Sequence, residues 1–162
     1  MSVMKDSIPV FIEGAKVNFR LYGHLTPVFA AVIDGQPQIL GVSWSNSQDK
    51  DAFAKQIQNW IAENRLTEFI MVVEAWAATN SDNVQEHFQK HGTIQDFPDR
   101  KEIVIVRYCS ANEEIDYTTD IIRGTIPHLG DWHKIEREVK FSMIDLSTRF
   151  QGFFLKSKVK QN

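Results

Sequence analysis

Between Phe69 and Ala78 the chain reads Phe-Ile-Met-Val-Val-Glu-Ala-Trp-Ala-Ala, its most apolar run. A membrane span needs roughly 20 apolar residues, so this run is too short to cross a bilayer. Its centre is β-branched and it follows closely on a helical pattern. It therefore predicts a strand covered on both faces. Glu74 interrupts it, and a carboxylate is rarely buried without a partner. On a strand, Ile70, Val72, Glu74, Trp76 and Ala78 share one face. The structural expectation for Glu74 is a buried ion pair or hydrogen-bonded acid, with Arg107 or Arg100 as its partner. The functional alternative is an acid lining a pocket.

The segments around this strand carry recognisable periods. Ile8, Phe11, Ile12, Ala15, Phe19 and Tyr22 recur at helical spacing. They predict a helix over 7–23, with Ser7 as N-cap, Pro9 in the first turn and Gly23 as its end. Val17, Phe19 and Leu21 also alternate, so a strand competes there. Residues 27–44 predict a hairpin turning at Asp34-Gly35, a dipeptide that supplies positive φ. Residues 48–64 form the clearest helix, capped by Ser47 or Asp49. Phe53, Ile57, Trp60, Ile61 and Asn64 mark the face toward the sheet, and Lys55, Gln56, Gln58, Asn59 and Glu63 the other. A short helix over 82–91, capped by Asp82 and stopped by Gly92, interrupts the polar stretch 79–100.

Residues 102–109 predict a second buried strand, paired as an antiparallel hairpin with 115–123. In the latter, Tyr117, Thr119 and Ile121 alternate with Asp116, Thr118 and Asp120, which predicts one solvated face. A loop over 124–134 and an edge strand over 137–145 follow. The Phe-rich stretch 146–155 either docks on the domain or meets a partner. The expected fold is α+β: a mostly antiparallel sheet of about five or six strands, one helix packed on a face and an N-terminal helix. Residues 1–162 are expected to form a single domain, frayed over 1–6 and 156–162.

A chain of 162 residues buries about 70% of its surface on folding, so neither a metal nor a disulfide is needed to complete a core. The formal net charge of −3 argues against a dedicated nucleic-acid binder, though not against a local basic patch. The single cysteine, Cys109, excludes an intramolecular disulfide and reads as a buried, inert thiol. The opening residues lack the apolar core of a signal peptide. A cytoplasmic protein without membrane contact is expected.

Chemistry-bearing patterns are sparse. Asp99, with Glu102, and Glu138-Val139-Lys140 loosely resemble the Pro-Asp…Glu-x-Lys pattern of a large nuclease superfamily. In that family the carboxylates hold a divalent cation and the lysine helps position the attacking water. His87 and His91, four apart on a helix, could face one metal together. They would need further ligands, from Glu86 or from His128, Asp131 and His133. The chain has no phosphate loop, no nucleophile elbow and no dinucleotide fingerprint. No cofactor and no metal are expected. Trp132, between Asp131 and His133 in a loop, is the tryptophan best placed for a binding surface.

The motifs Gly23-His24-Leu25-Thr26-Pro27, Asp34-Gly35, Glu74-Ala75-Trp76 and Pro98-Asp99-Arg100-Lys101-Glu102 resemble, in their order, those of uncharacterised small bacterial and phage- or plasmid-associated proteins. Those share Gly-His-x-x-Pro, Glu-Ala-Trp and Pro-x-Arg-x-Glu. The resemblance covers roughly residues 20–110. The chain departs from it in the polar excursion 79–97 and in the Phe-rich end. It implies no reaction, but marks His24, Glu74, Trp76, Arg100 and Glu102 as candidate binding positions.

Two functions are compatible with these features. The first is a non-enzymatic cytoplasmic binding or accessory domain. Its partner would be another protein, or a second copy engaged through the Phe-rich segment or an exposed strand. The second is a divalent-metal-dependent hydrolase or nuclease using Asp99, Glu102, Glu138 and Lys140.

Overall fold

The computed structural model describes residues 3–41, 47–77, 82–91, 100–110 and 113–136. The elements run α1 (Val3–Asp6), α2 (Ile8–Tyr22), β1 (Val28–Ile33), β2 (Gln36–Gly41), α3 (Ser47–Asn64), β3 (Glu68–Ala77), α4 (Asp82–His91), β4 (Lys101–Ser110), β5 (Glu114–Ile122), β6 (His128–Leu129) and β7 (His133–Glu136). The strands form one sheet in the order β2-β1-β3-β4-β5-β6, and β7 also pairs with β5. Every pairing among the described residues is antiparallel. The α+β architecture expected from the sequence is the one observed.

The long central strand β3 is covered on both sides, as its apolar run predicts. Phe69, Met71 and Val73 face one layer, where α3 contributes Phe53, Ala54, Ile57 and Ile61. Ile70 and Val72 face the other, where Met4, Ile8, Ala15 and Phe19 of α1 and α2 pack on Val104, Val106 and Tyr108. Fully burying one such aliphatic or aromatic side chain stabilises the fold by about 1.5–3 kcal/mol. The Phe29 ring anchors the first layer, 4.6 Å from Phe69 and 5.2 Å from Trp60 between centroids. Gln58, expected on the solvent face of α3, is instead buried.

Local signals place the turns. Asp34 and Gly35 both take positive φ, 50° and 74°, in a two-residue hairpin that sets Ile33 opposite Gln36. Gly23 ends α2 at φ 71°, and its N–H donates to the Phe19 carbonyl at 2.8 Å. At the other end Ser7 is not a cap. It has helical dihedrals, and its hydroxyl donates back to the Val3 carbonyl at 2.7 Å. Thus α1 leads into α2 with only one turn residue between them. The first-turn N–H of Met4 donates to Glu68 at 3.3 Å, and Lys5 pairs with Glu113 at 2.6 Å. These contacts fasten the start of the helix to the sheet.

The predicted hairpin of the second and third buried strands is observed as β4 and β5, with Arg107 opposite Asp116. The expected solvated face of β5 is not fully solvated. Asp116 and Thr118 are buried, and the exposure begins at Asp120 and Ile122. The expected loop over 124–134 contains β6 and the start of β7. The edge strand over 137–145, the Phe-rich stretch 146–155, and Ser47, Asp49 and Asp82 as capping side chains lie outside the described residues.

Candidate functional site

Alternation along β3 and β4 gathers the motif residues on one face of the sheet, at the end of α2. Register sets Glu74 opposite Val104 and Trp76 opposite Glu102. Gly23 turns the chain just before His24, so the backbone of Leu25 comes down on this face. Its N–H donates to Glu74 Oε1 at 2.8 Å. Glu74 is only half-buried. It is therefore a hydrogen-bonded acid, fastening the segment after α2 to the central strand.

The expected partners of Glu74 lie elsewhere. Arg107 is opposite Met71 and so belongs to the α3 face. There it makes a fully buried, bidentate pair with Asp116, Nε to Oδ1 at 2.7 Å and Nη2 to Oδ2 at 2.8 Å. Burial alone would lower the guanidinium pKa. The charge and hydrogen bonds of Asp116 more than offset it and leave the value above the ordinary one. Arg100 instead lies over the Trp76 ring, its Cζ 4.9 Å from the centroid.

The cation that joins the motif residues is Arg123, which no sequence pattern marks. Its Nε and Nη2 donate to Glu102 at 2.9 and 3.3 Å, and Nη1 donates to the Gly23 carbonyl at 3.3 Å. Its guanidinium also lies 5.9 Å from the centre of the Phe19 ring. The hydrogen bond it donates to Glu102 raises its pKa against the effect of burial, with the charges of Glu102 and then Glu74 adding to the rise. Arg123 thus ties the end of α2 to β4. The available signal was positional: it follows β5 directly and shares the parity of Thr119 and Ile121.

Trp76, Arg100, Lys101, Glu102, Asp120, Ile121 and Ile122 line an open groove of about 620 Å³. Lys101 Nζ lies 3.7 Å from Asp120 at its rim. A second depression of about 440 Å³ adjoins it through Asp120 and Ile122, and is otherwise lined by His128, Leu129, Gly130, Asp131 and His133. His24 is exposed near the Tyr22 ring and does not line either hollow. Trp132 packs against the apolar layer under α2, with its indole Nε1 buried and without a hydrogen-bond partner among the described residues.

Asp99, Glu138 and Lys140 of the nuclease-like pattern lie outside the described residues, and Glu102 is held by Arg123. The His87 and His91 rings lie 4.6 Å apart on one side of α4, tilted by 45° to each other. Among the described residues no group of three His, Cys, Asp or Glu side chains is placed to hold a metal ion. No described helix is long and apolar enough to cross a membrane. Comparison with known proteins finds no matching family model, no curated relative and no matching solved structure.

Proposed function

We propose that this chain is a cytoplasmic, non-enzymatic binding domain whose partner is another protein, and that the Trp76–Arg100 groove is its recognition surface. The observation that carries the reading is the cation stacked on an indole at the mouth of an open groove whose acids are already engaged. Glu102 is bonded to Arg123 and Asp120 lies beside Lys101, so the two carboxylates do not converge on a vacant point. Tryptophan and arginine are the side chains that most often dominate protein interfaces. Trp76 and Ile122 supply apolar surface, and Arg100 and Lys101 supply positive charge. A partner presenting a carboxylate beside an apolar side chain fits that chemistry. The single cysteine supports a cytoplasmic setting.

The test is affinity capture with the wild-type chain and with a Trp76→Ala/Arg100→Ala variant whose melting curve matches it. A captured protein is then titrated against both by calorimetry. The double substitution is expected to weaken binding by about 2 kcal/mol or more. Equal binding by the variant would remove the groove from recognition. Cation-dependent cleavage of a phosphodiester by the wild type, lost in Glu102→Gln, would replace the binding reading with a hydrolytic one.

A further inference from the structure

Joined through Ser7, α1 and α2 together carry two apolar stripes, and the core uses the one that faces the sheet. Met4, Ile8, Ala15 and Phe19 face the sheet and are buried. On the outside, Val3, Val10, Val17 and Leu21 are 63%, 70%, 47% and 66% exposed. Val3, Val10 and Val17 recur every seven residues, with Ser7, Gly14 and Leu21 four residues after each. That is the seam spacing of a helix that packs on another helix. The middle of the seam is small: a Cβ at Gly14 would meet nothing within 4 Å. A glycine there lets a facing backbone approach closely.

Charge along the seam identifies the partner. Asp6, Glu13 and Arg20 repeat at the same seven-residue interval along one flank. Glu13 is neutralised by its own Lys16, 2.9 Å away. Asp6 and Arg20 are exposed and take part in no ion pair among the described residues. If a second copy of the same helix is laid antiparallel about a two-fold axis near Glu13 and Gly14, Asp6 meets Arg20 of the second copy and Arg20 meets its Asp6. Val10 then lies within a residue of facing Val17 of the second copy, the two Gly14 residues lie close to the axis, and Glu13 faces Glu13 of the second copy. In a parallel pairing these flank residues lie on opposite sides of the seam, so Asp6 and Arg20 of the two copies do not meet. The seam is therefore self-complementary in one orientation, as an isologous interface must be. A membrane surface fits it less well, since such helices present bulky Trp, Phe or Leu beneath a strongly basic face.

We propose that the chain self-associates through this seam, as an antiparallel α2–α2 dimer centred on Gly14. This surface is separate from the Trp76–Arg100 groove, and the proposal does not rest on the groove's role. A single helix pair lies at the small end of specific interfaces, below about 1,200 Å² in total, so the dimer is expected to dissociate on dilution.

The test is sedimentation velocity over a concentration series reaching the millimolar range. It compares the wild type with Val10→Asp, Asp6→Arg, Arg20→Asp and the double exchange Asp6→Arg/Arg20→Asp. All these positions are exposed, and circular dichroism checks that each variant is folded. The wild type should show a reversible monomer–dimer equilibrium. Val10→Asp and each single charge change should raise the dissociation constant by about tenfold or more. The double exchange should restore it, which only the antiparallel orientation allows. A wild type that stays monomeric throughout overturns the proposal. So does a dimer indifferent to all four variants, which would place self-association on the β2 edge or the Phe-rich segment. Binding of a monomeric wild type to anionic phospholipid vesicles, lost in Val10→Asp, would also overturn it in favour of a lipid surface. If Val10→Asp fails to fold, the charge-exchange series decides alone.

Discussion

At the scale of single residues, two arginine–carboxylate pairs show how far burial changes the same interaction. Arg107 and Asp116 are both fully buried, whereas the side chains of Arg123 and Glu102 are 45% and 30% exposed. Removing one member of a buried pair strands a charge in the interior. Asp116→Ala is expected to cost about 3–5 kcal/mol, read as a lower urea midpoint at a similar slope. Replacing both partners with apolar side chains, as in Arg107→Met/Asp116→Leu, should recover most of that loss. The Arg123–Glu102 pair works in higher dielectric, so Glu102→Ala should change stability by no more than about 1 kcal/mol. A loss from Glu102→Ala as large as that from Asp116→Ala would mean that Arg123 holds the end of α2 far more firmly than its exposure implies. The reassignment of Arg107 from Glu74 to Asp116 also marks what was legible at this scale. Alternation reveals which residues share a strand face. It does not reveal the register that sets Arg107 opposite Met71 rather than in line with Glu74. Arg123 carries no local signal for a related reason: its role depends on where the end of α2 comes to rest, which is a tertiary fact.

At the scale of elements, the chain is most legible where one local cause acts alone. The helical period over 8–22, the stripe on α3, the Asp34-Gly35 turn and the apolar run of β3 each have such a cause, and each became the expected element. The strands β6 and β7 are two and four residues long and depend on β5 as a template, so no periodic signal announces them. The end of α3 is intermediate. Leu66 N–H donates to the Ile61 carbonyl at 3.0 Å, closing the helix by a six-residue backbone bond with Arg65 at φ 52° between them. Leu66 and Ile61 then lie in the same apolar layer. Glycine is the usual occupant of that left-handed position, and a residue with a Cβ pays about 1–2 kcal/mol to occupy it. Arg65→Gly is therefore expected to raise stability by about 1 kcal/mol, a rise of about 2–4 °C in Tm for a chain of this size. A fall in Tm would show that the Arg65 side chain makes contacts worth more than the strain.

At the scale of the whole molecule, one sheet serves both apolar layers, so neither can open without exposing β3 and β4 between them. This predicts a single cooperative unfolding step for the two layers, and Cys109 offers a direct way to observe it. Cys109 is 1% exposed near the end of β4, opposite Phe69 and within the α3 layer. A thiol reagent can reach it only through an opening of the structure. If that opening is global, the labelling rate at low reagent should follow the unfolding equilibrium and rise with urea at the slope of the equilibrium transition. Asp116→Ala should then accelerate labelling by about a hundredfold or more, since each 1.4 kcal/mol is worth tenfold. The competing mechanism is fraying of β4 from its near end at Ser110. Fraying exposes little surface, so labelling would be almost independent of urea and insensitive to substitutions in the α2 layer. Val106→Ala separates the two, because it lies on the opposite face from Cys109 and touches the sulfur's surroundings only through the shared sheet. Faster labelling in Val106→Ala, in proportion to its loss of stability, is the expected outcome. An unchanged rate would show that the two layers open separately.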